Sequence, residues 1–306
     1  MSTNPTPASG SWRLHTGDPN SGVILHVPHS SRVIPADIRA DIELDDSALV
    51  SELLQMTDAH TDLIAQIAAG AALVRPWIFE NAMSRLVIDP ERFPDEREEM
   101  ERVGMGAVYT RTSDGKILRD PSPHQRSELI ANFFAPYSAA FADAVQERLD
   151  TCGDVTIIDV HSFPLAPLPY ELHADGARPD VCLGTHPIHT PPWLVDAARQ
   201  AFTPMGCIDI DSPFVGTYVP LVHYEVEPRV HSIMIEMRRD RYMDESTGEP
   251  SAAHLEEFGR CLAALVDAAA TEEPLQVAAT QEPLMVAATP KPLTEMSTVS
   301  GSPPPS

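Results

Sequence analysis

Short apolar runs bounded by turn residues alternate along this chain with longer stretches whose apolar positions recur at helical spacing. The runs at 23–27 (VILHV), 72–74, 86–88, 155–160 (VTIIDV), 179–183 and 232–237 (SIMIEM) predict strands. Helices are predicted over 46–69, over 125–150 with Pro136 as a kink, over 192–203 and over 251–270. Near-continuous Val and Ile runs belong to strands covered on both faces. The alternation therefore predicts one α/β domain over residues 21–270, built on a mixed, mostly parallel sheet flanked by helices.

Both ends of the chain read differently. Residues 1–20 are mostly Ser, Thr, Pro, Asn and Gly with little to bury, which predicts a flexible N-terminal segment. Residues 271–306 carry an imperfect repeat, EPLQVAAT then EPLMVAAT, followed by a Pro-rich stretch. Two Pro-broken repeats cannot stack into a solenoid, so a disordered tail is expected.

Charge narrows the partners. The chain has 45 Asp and Glu against 21 Lys and Arg, a net charge of −24, and its field repels nucleic acid and anionic membranes. No run reaches the ~18 apolar residues of a membrane span, and the first residues lack a secretory signal's basic and apolar regions. A cytoplasmic protein with a small-molecule partner is expected. The four cysteines (Cys152, Cys182, Cys207, Cys261) show no CxxC spacing and read as free buried thiols.

The candidate chemistry lies at strand ends, where open α/β sheets place their sites. His29 follows the first run (VILHVPHSS), His161 ends the fourth (VTIIDVHSF) and Glu236 lies near the end of the last (SIMIEMRRD). The stretch MTDAHTDLIA adds Asp58, His60 and Asp62, with Asp58 and Asp62 at i and i+4 on one helix face. A His, Asp, His set supplies the nitrogen and oxygen donors of a catalytic Zn²⁺ and leaves a fourth position for water. Either Asp58 or His60 could be the second ligand. Glu236 would then be the general base, unless Arg238, two residues on, makes it half of a structural ion pair. In NAMSRLVIDPERF, Arg85 and Arg92 flank Asp89, and such guanidinium forks either bind a substrate carboxylate or oxyanion or pair with the aspartate. Phosphate-cradling Gly loops, GxSxG and HExxH are not found in the sequence.

The series VPHSSRVIP, TDAHTD, MSRLVID, VYTRTSDGKILR, IDVHSF, RPDVCLGT, SPFVGTYVP and IEMRRDRYM, in this order over about residues 22–265, resembles the N-formylglutamate amidohydrolase family. The resemblance implies a phosphorylase/hydrolase-like α/β fold related to zinc carboxypeptidases. It also implies a Zn²⁺-dependent cleavage of N-formyl-L-glutamate to formate and glutamate, a step of histidine degradation. Carried over position by position, it makes His29, Asp58 and His161 the metal ligands, Glu236 the base, and Arg85 with Arg92 the arginines near the substrate. Glu91 and Asp211 stand where the family pattern has Asn, and Ser138 where it commonly has His. Extra acid at Glu91 and Asp211 would disfavour a dicarboxylate substrate if those side chains line the pocket.

Two readings follow. One is a zinc amidohydrolase that frees an amino acid from a formyl or other small acyl group. The other is a metal-binding adaptor without turnover, which engages a protein partner through its acidic surface and tail. Glu236 favours the enzyme, because a purely structural zinc site has no use for a base.

Overall fold

Every residue of VILHV and of VTIIDVHSF is buried, as strands covered on both faces require, and the two runs lie side by side within a seven-stranded sheet. The computed structural model describes residues 10–172 and 178–271. The order is β1 (Trp12–His15), β2 (Val23–Val27), α1 (Ala36–Ala40), α2 (Asp46–Met56), α3 (Thr61–Ala71), β3 (Trp77–Asn81), α4 (Pro123–Leu129), α5 (Ala135–Cys152), β4 (Val155–Phe163), β5 (Val181–Gly184), α6 (Pro192–Phe202), β6 (Ile208–Ile210), β7 (Val230–Arg238) and α7 (Ala252–Thr271). Across the sheet the strands run β1-β3-β2-β4-β7-β5-β6. The β1–β3 and β5–β7 pairs are antiparallel and the remaining neighbours parallel, so the expected mixed, mostly parallel α/β sheet is what forms.

Period-two alternation decides what each face carries. Val23, Leu25 and Val27 of β2, Ile158 and Val160 of β4, and Ile233, Ile235 and Met237 of β7 pack with α3, α6 and α7 in one core layer. Ile24, Val155, Ile157 and Val230 turn the other way, against Tyr137, Phe141, Val145 and Leu149 of α5. By the same alternation that face carries, further along, His26 of β2, Asp159 and His161 of β4 and Glu236 of β7. The apolar packing thus fixes the strands while their carboxyl ends present chemistry.

Ile158 is fully buried. Ile158→Val deletes one methyl from that layer and is expected to cost about 1 kcal/mol, read as a lowered midpoint in urea unfolding. An unchanged midpoint would mean that the layer closes over the void.

Several elements differ from the sequence expectation. The helix expected over 46–69 is two helices, α2 and α3, because Thr57 is extended and His60 takes a left-handed conformation at φ 68°. Asp58 therefore sits in the break, and it does not share a helix face with Asp62. The helix expected over 125–150 forms as α4 and α5 joined by a wide π turn over Ile130–Phe134, just before Pro136, which lacks an N–H to donate. Residues 72–74 bend after α3 and the strand comes later, at Trp77–Asn81, while 86–88 form a buried turn. β1 lies within the segment expected to be flexible. It pairs with β3, with Trp12 stacked on Phe79 at 5.4 Å and Arg13 bonded to Glu80 at 2.7 Å. The sheet thus reaches back beyond the expected domain start at residue 21, and α7 runs to Thr271. The expected tail from 272 onward and residues 1–9 lie outside the described residues. All four cysteines are free; Cys182 and Cys261 are buried as expected, whereas Cys152 and Cys207 are exposed. Among the described residues no helix is long and apolar enough to cross a membrane.

Candidate active site

Three segments bring the site together. His29 lies just past β2, His161 near the end of β4, and Asp58 in the α2–α3 break, where its amide donates to the carbonyl of His29 at 3.0 Å. Parallel pairing places His161 directly opposite Glu236 of β7. The backbone register itself therefore brings His161 and Glu236 together, and the Asp58–His29 bond draws in the other two.

His29, Asp58 and His161 are all buried and offer donor atoms within 4.8 Å of one another. His161 Nδ1 donates to Asp58 Oδ2 at 3.0 Å, and His29 Nδ1 stands 3.6 Å from the same oxygen. That Nδ1 is buried without a hydrogen-bond partner among the described residues, and with the other nitrogen protonated its lone pair is one that a metal ion would satisfy. The other nitrogen of His29 donates to Asp89 Oδ1 at 3.0 Å, the outer carboxylate contact that orients a ligating histidine. Two imidazoles and one carboxylate with an open side match the donor set of catalytic zinc. The residues thus fit a divalent cation. His60 points elsewhere, its Nε2 donating to the carbonyl of Gly248 at 2.8 Å, so the geometry favours Asp58 over His60.

Charge balance in this buried cluster is internal. Burial opposes ionisation of Asp58, yet His161 and His29 hold it well below the ordinary carboxylate range. Burial likewise works against a protonated His161, but Glu91, Asp159 and Asp58 raise it well above its ordinary value. Glu236 differs. Burial pushes its carboxyl up to about 7, with Asp58 adding to the rise and His161, Arg239 and Arg85 opposing it. Its Oε2 is buried without a hydrogen-bond partner among the described residues. Arg238 does not pair with it, since that guanidinium reaches Asp180 at 2.9 Å and Asp240 at 2.7 Å.

The two arginines have different surroundings. Arg85 donates from Nε to Tyr109 at 2.9 Å and from Nη2 to Asp89 at 2.8 Å, so its pairing with Asp89 is present, and its Nη1 faces Asp58 Oδ1 at 3.9 Å. Arg92 lies 3.7 Å from Asp89 and 3.8 Å from Glu98, outside hydrogen-bond distance of both. The six residues to which the resemblance gives roles, His29, Asp58, Arg85, Arg92, His161 and Glu236, line one cavity of about 550 Å³.

Other residues of the cluster were not singled out as site residues. Arg239 donates to Asp58 Oδ1 at 3.1 Å and to Ser162 Oγ at 3.1 Å, bracing the carboxylate from the side opposite the histidines. Asp159 accepts from His26 Nδ1 at 2.8 Å and lies 3.1 Å from His161 Nε2, while Tyr137 holds the far nitrogen of His26 at 2.6 Å. The alternation that puts Asp159 and His161 on one face of a buried strand was a usable signal for Asp159. Glu91 reaches into the cavity with Oε2 3.2 Å from His161 Nε2. Asp211 is instead used in a turn, where it accepts from the amide and hydroxyl of Thr185 at 2.7 Å.

A family model for N-formylglutamate amidohydrolase matches residues 21–243. An N-formylglutamate deformylase from Pseudomonas aeruginosa is 25% identical over 256 residues, covering 78% of this chain and 89% of its own. The crystal structure of an N-formylglutamate amidohydrolase from Ralstonia eutropha JMP134 superposes with a TM-score of 0.72 at 21% identity, over 86% of this chain and 98% of that one. An Agrobacterium tumefaciens gene product superposes with a TM-score of 0.59 at 17% identity, over 83% and 96%. At these identities the two structures speak for the fold.

Proposed function

This chain belongs to the N-formylglutamate amidohydrolase family, and from that premise we propose that it is a metal-dependent hydrolase of linear amides, which removes a formyl or other small acyl group from an N-acyl amino acid of the N-formyl-L-glutamate kind. The observation that carries this reading is a buried donor set, His29, Asp58 and His161, facing an unpartnered Glu236 oxygen across one cavity. The adaptor alternative is not supported, because the matching family is one of amidohydrolases.

His29, Asp58 and His161 would hold the cation, which we take to be Zn²⁺ from its two nitrogen donors and one oxygen. When bound, such an ion supplies a Lewis acid for the amide carbonyl and lowers the pKa of water beside it. Glu236 takes a proton from the attacking water as its oxygen joins the carbonyl carbon, then returns that proton to the nitrogen as the C–N bond breaks. The products are formate and a free amino acid. Arg85, anchored by Asp89 and Tyr109, presents Nη1 to the oxygen on which charge develops. Arg92, free of close bonds, takes the substrate carboxylate as a fork.

The test is a formate-release screen over N-formyl amino acids, with metal content measured on the same protein. About one divalent cation per chain and formate release that a chelator abolishes and Zn²⁺ restores are expected. Undiminished release from metal-stripped protein would overturn the metal-dependent reading, and no release from any N-formyl or N-acetyl amino acid would overturn the hydrolase.

A further inference from the structure

We propose, building on the deformylase reading above, that Glu91 makes this pocket select N-formyl amino acids whose side chains carry no negative charge over N-formylglutamate itself. Among the described residues, Arg85 is committed to Tyr109 and Asp89, Arg239 to Asp58 and Ser162, and Arg97 to both oxygens of Asp95 at 2.8 and 2.7 Å. His186, also on the wall, faces Glu225 at 3.5 Å. Arg92 is left with its acidic neighbours at 3.7 and 3.8 Å. One guanidinium fork serves one carboxylate, and every N-formyl amino acid already brings an α-carboxylate. A second carboxylate on the substrate side chain finds no open fork.

Glu91 adds repulsion to that shortage. Its Oε2 stands 3.2 Å from His161 and 3.7 Å from His29, and its Oε1 lies 3.4 Å from His26 without a hydrogen-bond partner. Its nearest partners are thus histidines of the chemical centre, and among the described residues no guanidinium is bonded to it. The imidazoles offset part of its charge, and the remainder projects a negative field across a cavity whose low-dielectric walls screen it poorly. Glu98 contributes in the same direction from the Arg92 side. Much of the remaining wall is apolar, with Phe93, Phe214, Leu168, Leu221 and Tyr224, and it suits a neutral or apolar side chain.

N-formylglutamine and N-formylglutamate have the same shape and differ in one charge, so their ratio of kcat/KM isolates this effect. The wild-type protein is expected to prefer N-formylglutamine by at least ~10-fold at low salt, with the preference narrowing as ionic strength rises. In Glu91→Gln, which keeps the length and hydrogen bonding of the side chain, the ratio should fall by about the same factor through a gain on N-formylglutamate. A wild-type preference for N-formylglutamate would overturn the proposal without needing any variant to fold, and it would leave the deformylase reading intact. An unchanged ratio in folded Glu91→Gln would overturn the role of Glu91. Formate release from neither substrate nor from N-formylleucine would instead sink the deformylase reading, and this proposal with it.

Discussion

Glu236→Gln is expected to lower kcat at least ~10²-fold while metal content and melting temperature stay near those of the wild type. The glutamine keeps the shape of the side chain and its capacity to accept a hydrogen bond but cannot take a proton from water. Stability should survive because the carboxylate is no structural ion pair: Arg238 is turned to Asp180 and Asp240, and Glu236 Oε2 has no hydrogen-bond partner to lose. Burial that raises the carboxyl to about 7 also marks the ionised form as the costly one, so a neutral amide relieves that cost. The pH profile supplies a second readout. A base must be ionised, so wild-type kcat/KM falls as pH drops through the pKa of Glu236, which burial pushes up to about 7. That acid limb should be absent from the glutamine variant. Near-wild-type turnover in a folded, metal-loaded Gln variant would remove Glu236 from proton transfer, and loss of metal or fold would make it a structural residue.

How far the sequence reveals the site depends on which force fixes each part. β2, β4 and β7 are legible because strands buried on both faces need long apolar runs, and their polar endings then announce His29, His161 and Glu236. β3 is harder to read, since WIFEN ends in Glu80 and Asn81, whose burial is satisfied by Arg13, His15 and the Pro28 carbonyl rather than by an apolar pattern. β1 is four residues at a sheet edge and has too little periodicity to count. The break between α2 and α3 carries no breaker residue; it exists because His60 adopts a positive φ and Asp58 is tied to His29 across the fold. That long-range tie is also what separates Asp58 from His60 as a ligand, a choice that two residues on one turn leave open. The Arg85–Asp89 pair reads correctly from spacing, although it spans a buried turn and not a helix. Arg239 escapes notice because its neighbour Arg238 lies closer to the strand rule, whereas the turn after β7 swings Arg239 under Asp58.

His161→Ala should reduce bound metal well below one ion per chain and lower kcat/KM by roughly 10³-fold, the size of several kcal/mol of lost charge stabilisation. Three donors converge on the site, and removing one leaves His29 and Asp58 as an incomplete pair. Metal that binds only the folded chain stabilises it, so the melting temperature should fall as well. A fall alone would not identify the cause, because the deleted imidazole is itself buried and also bonds Asp58 at 3.0 Å. The chelator separates the two contributions. Wild-type protein should melt at a lower temperature once its metal is removed, whereas the alanine variant, with little metal to lose, should melt at the same temperature with or without chelator. Unchanged stoichiometry in His161→Ala would take His161 out of the ligand set. Equal sensitivity of both proteins to the chelator would place the stabilising ion elsewhere in the chain.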